Sequence, residues 1–556
     1  MILSLALALL AALPLQEAPA SRRLPLATYR DRMVAGWIGQ MVGVGWGGPT
    51  EFRWQGKIMP AEEMPAWTPE MVNQFAQDDI YVEMTFLRTL EEHGLDATAR
   101  QAGIDFAASE YPLWHANRAG RDNLRAGIAP PDSGHPRFNR HADDIDYQIE
   151  SDFAGLIAPG LPNTVIELGE RFGRLMNYGD GLYAGQFVGG MVAEAFFASD
   201  PARTVTAGLE CIPAESEYAA CIRDVVAWHA ETPEDWTAAW ERLEAKWSRD
   251  RAHRRASCSP APDPFNIDAK LNGAYAVLGL LYGERDPERT IAIATRAGQD
   301  SDCNPSTAAG VLFTTIGSAA LPDRFTSALD RHAKFSHTPY DFERLTAVCE
   351  ALARQAVVRA GGRIERDDAG EEVLVIPILP ARPSALERTW KPGPVAGARF
   401  AAAEWERIPP LGGVDLAAAI ARFAPDWEAL HCGPHEDPGL RESWGGRAGV
   451  LVTHPWSDSL GCVLRRTADV PAAGRTVLHL VAGHDPRGDW TLVIRADGKE
   501  LRRLVVGPLA ATDGWLALDV DLSPFAGQSV ELELGNEANG WSWETGYWGE
   551  IAIVSR

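Results

Sequence analysis

The sequence predicts a multidomain chain: an all-α domain over residues 22–360, a β-hairpin and linker over 361–394, and an all-β sandwich or jelly roll over 395–556. Three observations predict this. From Tyr29 onward, apolar residues recur at three- and four-residue spacing between Gly, Asp and Pro punctuation, as amphipathic helices require. Around Gly361 the pattern changes, and GGRIERDDAGEEVLVIPILP alternates like a hairpin with Asp-Ala-Gly as its turn. Beyond Pro394, period-two runs such as TVLHLVAGHD, WTLVIRADGKEL and WLALDVDL follow one another between turn residues, as in two packed antiparallel sheets.

The chain opens with MILSLALALLAALPLQEAPA, an apolar run followed by a small-residue site at Ala18-Pro19-Ala20. Residues 1–20 therefore read as a signal peptide, too short to span a bilayer comfortably, and predict an exported protein, periplasmic or secreted. No later run is long and apolar enough to cross a membrane, so no membrane partner is expected after cleavage. With 76 acidic against 52 basic residues the formal charge is −24, which disfavours a nucleic-acid partner. Seven cysteines form no CxxC pattern, and Cys432 with Cys462 are a candidate disulfide in the last domain.

Tyr29 to Val44 predicts a helix with Met33, Trp37 and Met41 on one face and Gly36, Gly39 and Gly43 spaced for close approach of a second helix. Glu51 follows the Gly47-Gly48-Pro49 turn, and the loop from Phe52 to Trp67 is placed to cover a pocket. Asp78 and Asp79 open the next apolar-periodic helix. Asn139 to Gly160 holds Asp143, Asp144, Asp146, Glu150 and Asp152 among apolar neighbours, so a wholly solvated charge run is disfavoured. Gly179-Asp180-Gly181 turns into a Gly/Ala-rich helix that exposes Asp180 and Tyr183 at its start. Trp228, Trp236, Trp240 and Trp247 have core spacing, and Asp286-Pro287-Glu288 caps a later helix.

That helix leads to AGQDSDCNPSTAAGVLFTTIG, where Asp300 and Asp302 precede another helix, with Asn304 as its expected cap and Pro305 in its first turn. Two like charges about 4 Å apart repel by about 4 kcal/mol at an effective dielectric near 20. Four converging carboxylates would thus rival the stability of a whole domain, roughly 5 to 15 kcal/mol, unless cations or protons neutralise them. Oxygen-only ligation suits Mg²⁺, Mn²⁺ or Ca²⁺. The plain alternative is that each pair is an N-terminal charge favoured by its own helix dipole.

The order of these motifs resembles the ADP-ribosylglycohydrolase family, including its ADP-ribosyl-dinitrogen reductase hydrolase-like members. The Gly-rich helix and turn of GWIGQMVGVGWGGPTEF, the acidic pair of AQDDI and the Asp-x-Asp of QDSDCN each match in turn. The resemblance implies a mostly helical fold, two Mg²⁺ ions held by Asp78, Asp79, Asp300 and Asp302, and Glu51 near the substrate entrance. Asn139 to Gly160 is similar in position to the family's central Gly-Asn-Gly loop beside the ribose, though its glycines are missing. Asp146 and Asp152 are its candidates for substrate hydroxyl contact or base catalysis, with Asp180 and Tyr183 as further pocket residues. The chain departs from the family at Gln77, Ile80 and Cys303, where Thr or Ser is usual, and a thiol is a poor magnesium ligand.

The C-terminal NEANGWSWETGYWGEIAIVS resembles the closing strand of galactose-binding-like modules. Its Trp541, Trp543, Tyr547 and Trp548 are either a glycan-stacking platform or a seal on the sandwich edge. Together these readings predict an exported metal-dependent glycosyl hydrolase acting on a small-molecule or glycan substrate at a ribose-like furanoside. Asp79 or Asp302 would position water and Glu51 would serve as the acid. The alternatives are an extracellular glycan furanosidase that does not act on ADP-ribose, and a non-catalytic metal-dependent sugar-binding protein.

Overall fold

Glycines 39, 43 and 47, one helical turn apart, set the centre of the helical half. They lie on the Leu26–Gly47 helix, and opposite them run Ala309, Pro305 and Ser301 in reverse order. A Cβ on Gly43 would fall 2.3 Å from the Pro305 carbonyl oxygen, and one on Gly39 would fall 2.4 Å from that of Ala309. The Leu26–Gly47 and Cys303–Ile316 helices therefore cross antiparallel at backbone contact, so the C-terminal end of the first abuts the N-terminal end of the second.

The computed structural model describes residues 20–255, 259, 261–409, 416–433, 436, 438–511, 513–540 and 543–555. The predicted leader lies outside them through residue 19, as does Trp541. Around the central helix pair stand the Asp78–His93, His115–Arg125, Asp180–Ala195, Glu217–Glu231, Ala269–Tyr282, Pro287–Arg296 and Phe342–Arg359 helices. Asp286 caps the Pro287–Arg296 helix as expected, its carboxylate accepting from the Arg289 amide at 2.7 Å. Trp240 and Trp247 are buried in the core. No helix among the described residues is long and apolar enough to cross a membrane.

The hairpin of Arg363–Arg366 and Glu372–Pro377 does not stand apart from the helical half. Its second strand also pairs antiparallel with Ser21–Pro25, making a three-stranded sheet on the Phe342–Arg359 helix. The segment that follows is strapped to the helical half by buried polar groups. The Tyr183 hydroxyl donates to the Ala385 carbonyl at 2.7 Å and accepts from the Glu387 amide at 2.6 Å. Asp132 accepts from the Ala396 and Ala398 amides.

The C-terminal region is two antiparallel five-stranded sheets. One runs, in spatial order, Lys499–Val506, Trp490–Ala496, Ser529–Ala538, Cys462–Asp469 and Glu428–Leu430. The other runs Trp515–Asp521, Thr476–His484, Gly546–Ser555, Arg447–Thr453 and Gly439–Trp444. Leu464, Leu480, Trp490, Leu492, Leu534 and Trp548 belong to one buried apolar core. Cys432 and Cys462 are bonded.

Two of the four aromatic residues expected at a glycan platform, Tyr547 and Trp548, are not available to one. Tyr547 is buried with its ring stacked on Trp444 at 3.7 Å, and Trp548 is fully buried, donating to Thr453 Oγ1 at 2.9 Å. Successive strand residues point to opposite faces of the sheet, and both faces are covered here. Trp543 alone among the described three is exposed, and Arg487 lies over its ring. The two halves meet where Trp456 and Leu460 pack on Ile128 and Phe138, with the Trp456 indole donating to the Phe138 carbonyl.

Candidate metal centre

The antiparallel crossing decides which residues meet. The turn after the first helix delivers Glu51 to the start of the Cys303–Ile316 helix, where Asp300 and Asp302 wait. Thr50 Oγ1 and Ser301 Oγ lie 2.8 Å apart across the join, and the Phe52 amide donates to the Gln299 carbonyl. The turn that leads into the Cys303–Ile316 helix depends on Gly298, whose φ of +88° and backbone contact with Trp54 leave no room for a Cβ. Asp302, not Asn304, is the N-cap. Asn304 turns inward instead and donates to Asn272 Oδ1 at 3.1 Å, while the same oxygen accepts from the Asp300 amide.

Asp78 and Asp79 form the first turn of the Asp78–His93 helix and face this cluster. Asp78, Asp300, Asp302 and Glu51 line one cavity of about 350 Å³, with Asp146 and Cys303 on its wall. Asp79 lies behind them, joined by a hydrogen bond of 3.2 Å from the Cys303 thiol to its Oδ2. Phe52, Trp114, His115 and Phe265 supply the ring faces of the cavity, and Trp114 is 54% exposed.

Burial is the first cause of every carboxyl shift here; neighbouring charge comes second for Glu51, Asp78, Asp79 and Asp300, whereas for Asp302 hydrogen bonds, including one with Asp300, oppose the effect of burial. The Asp78 carboxyl is pushed up to about 6 by burial and then by Asp302. Glu51, at the solvent-facing mouth, is pushed up to about 7 by partial desolvation and then by Asp302 and Asp78. Asp79 and Asp300 are raised well above the ordinary carboxylate range. Burial also holds Cys303 as a thiol, which explains why it donates to Asp79.

The donor set fits a hard divalent ion. Asp79 Oδ1, Asp300 Oδ1 and Asn304 Oδ1 are buried with no hydrogen-bond partner among the described residues. Asp300, Asp302 and Cys303 offer ligand atoms within 4.8 Å of one another. Unpaired carboxylate oxygens at this depth are costly unless a cation meets them.

A pH dependence follows. The folded-state pKa of each of these acids exceeds its unfolded value. Their contribution is therefore complete below the unfolded value and is lost as pH rises through the folded values, which for Asp78 and Glu51 spans about pH 4 to about pH 7. A bound cation reverses that loss. The gain in melting temperature on adding Mg²⁺ to chelator-treated protein is expected to grow across this window in calorimetry, and a gain independent of pH would contradict it.

The other predicted pocket residues divide. Asp146 does line the cavity, but both of its oxygens are engaged, accepting from the Ala116 and Asn117 amides at the start of the His115–Arg125 helix. Asp152 does not line it. Its Oδ1 faces Gly310 on the flank of the Cys303–Ile316 helix, in a deeper layer with Glu83. Asp180 does not line it either: it accepts from the Tyr218 amide and faces Lys270. Tyr183 is committed to the 385–387 strap. A helix start is exposed only where nothing is laid over it, and here the strap and the Glu217–Glu231 helix cover this one.

Trp114, His115, Phe265 and Asn272 are residues of the site that sequence reasoning did not select. Asn272 left a signal, a lone amide in the apolar run of AKLNGAYAVLGLLY. Trp114 left none among 19 tryptophans. A second cavity of about 210 Å³ adjoins the first, sharing Trp114 and His115 with it, and Trp456 and Ser457 of the β region reach it.

A model of the ADP-ribosylglycohydrolase family matches residues 25–361. Among solved structures, an ADP-ribosylglycohydrolase-related protein complex aligns with 59% of this chain and 99% of its own, at 17% identity and a TM-score of 0.42. A cyclase from Fischerella sp. TAU aligns with 24% of this chain and 86% of its own, at 13% identity and a TM-score of 0.19. The adhesin domain of Lys-gingipain from Porphyromonas gingivalis w83 aligns with 23% and 92%, at 12% identity and a TM-score of 0.18. No curated protein matches.

Proposed function

The chain belongs to the ADP-ribosylglycohydrolase family, and from that membership we propose an exported, divalent-metal-dependent glycosyl hydrolase that cleaves an N- or O-glycosidic bond at a ribose-like furanoside. The observation that carries the reading is the convergence of Asp78, Asp300, Asp302 and Glu51 on one cavity, with Asp79 directly behind. Export rests on the leader at residues 1–20.

Asp78, Asp79, Asp300 and Asp302 would hold Mg²⁺, which when bound supplies charge to orient sugar hydroxyls and acidify a water. Asp302, at the cavity wall, accepts a proton from the attacking water. Glu51, with its carboxyl pushed up to about 7 and so about half protonated near neutral pH, stands at the mouth to protonate the departing group. The carboxylates around the anomeric carbon favour the positive charge of an oxocarbenium-like transition state. Phe52, Phe265 and the exposed Trp114 offer flat apolar faces to the sugar and to the group it leaves.

One observation favours a second reading, a non-catalytic sugar receptor. The Cys303 thiol already occupies one oxygen of Asp79. A screen of the purified chain against ADP-ribosyl, nucleoside and furanosyl substrates, with and without chelator, separates the two. Chelator-sensitive turnover is expected. Turnover that survives chelation would overturn the mechanism, and binding without any turnover would favour the receptor.

A further inference from the structure

His115, His141 and Asp144 form a cluster that the glycohydrolase chemistry does not use. His141 Nδ1 is hydrogen-bonded to Asp144 Oδ2 at 2.8 Å, His115 Nδ1 stands 3.5 Å from that same oxygen, and the two rings meet edge to face at 5.4 Å between centroids; a metal ion would take the place of the His141 hydrogen bond. One ligand atom from each residue lies within 4.8 Å of the other two. With metal–nitrogen and metal–oxygen bonds near 2.0 to 2.2 Å, neighbouring donors around a tetrahedral ion stand about 3.3 Å apart. The separations of 2.8 and 3.5 Å bracket that value.

The cluster is built rather than incidental. His115 opens the His115–Arg125 helix at φ +39°, a left-handed conformation in which a histidine must be held. His141 is fixed by its amide donating to Asn139 Oδ1, and the Asp144 amide donates back to the His141 carbonyl. The Asp144 carbonyl accepts from Asn177 Nδ2 at 2.8 Å, and Asp144 pairs with Asp268 in an isolated β-bridge.

Exposure is polarised. The Asp144 side chain is fully buried, whereas those of His115 and His141 are 29% and 25% exposed. His115 lines both cavities and His141 lines the one that Trp456 reaches. The protein thus closes one side of the cluster and leaves the other open to incoming oxygen ligands.

We propose that His115, His141 and Asp144 bind a zinc-class transition-metal ion, separate from the carboxylate centre and with open positions facing the joint cavity. Two imidazoles and one carboxylate strongly favour borderline metals over Mg²⁺, whereas the oxygen-rich carboxylate centre suits Mg²⁺ and is kept filled by an excess of it. The inference does not depend on the hydrolase reading, because it concerns metal binding alone.

The test is Co²⁺ and Zn²⁺ binding to the chelator-stripped full chain in excess Mg²⁺. Wild type is expected to take one equivalent of Co²⁺ with visible d–d absorption, and D302N is expected to keep that band. Losing one of three ligands is expected to weaken binding by at least about 100-fold. Two variants read this, His141→Ala and His115→Asn, the latter because Asn tolerates the left-handed backbone. Circular dichroism and melting curves establish folding, so that if one variant fails to fold the other decides. Absence of the band in wild type, or equal Co²⁺ affinity in a folded variant, would overturn the proposal.

Discussion

Replacing Asp302 with Asn is expected to abolish turnover while raising the melting temperature of the chelator-treated protein. The two effects have one cause. Asp302 is 3% exposed and contributes to the raised pKa of Glu51, Asp78, Asp79 and Asp300. Removing its charge at nearly constant shape relieves a like-charge repulsion of about 4 kcal/mol per close pair at an effective dielectric near 20. With a cation present, the same change would remove the proposed ligand and proton acceptor, so activity should fall by at least about 1000-fold. Calorimetry in chelator and in Mg²⁺, together with turnover on whichever substrate the screen identifies, checks both halves. A variant that melts below wild type without metal would show that the carboxylates do not repel one another as the cluster requires.

Gly43→Ala carries the second large effect, and its sign separates packing from propensity. In an open helix this exchange would stabilise by about 1 kcal/mol. Here the new methyl would sit 2.3 Å from the Pro305 carbonyl oxygen and 2.4 Å from its carbon, backbone atoms that cannot rotate away. The helices must separate, at a cost of about 3 kcal/mol or more in urea denaturation. Because Asp302 stands at the N-cap position of the displaced helix, Mg²⁺ affinity should fall in the same variant. Gly94→Ala is the contrast: nothing lies within 4 Å, but its φ of +77° and ψ of 174° form a backbone conformation open essentially to glycine alone, so it should cost about 1 to 3 kcal/mol and leave metal binding alone. Equal stability of wild type and the Gly43 variant would remove the close crossing as the device that assembles the centre.

The parts of the site that were legible in the sequence are those written in local signals. Glycines four apart announce a close helix crossing, and acid pairs before apolar-periodic runs announce helix starts. Both signals depend only on neighbours within a turn. The cap position slipped from Asn304 to Asp302 because either residue satisfies the same local rule, and Asn272 settles the matter from 32 residues away. Asp152, Asp180 and Tyr183 show a different limit. Periodicity says that a side chain points inward, but an inward side chain meets a cavity, another helix or a strap depending on what the rest of the chain lays beside it. Tyr547 and Trp548 follow the same logic in the sheet, where Trp444 covers one and the sandwich core the other.

The sequence by itself determined the helical and β halves, the close approach of two glycine-spaced helices, and acid pairs at helix starts that call for neutralisation. The tertiary structure alone decided that Asp78, Asp300 and Asp302 share one cavity with Asp79 behind it, which aromatic rings face it, and that His115 meets His141 and Asp144 across separate turns. The physical reason is range. Helix signals and charge cost are read within a few residues, whereas a cavity is the space left after every element has packed, and no single segment encodes that space.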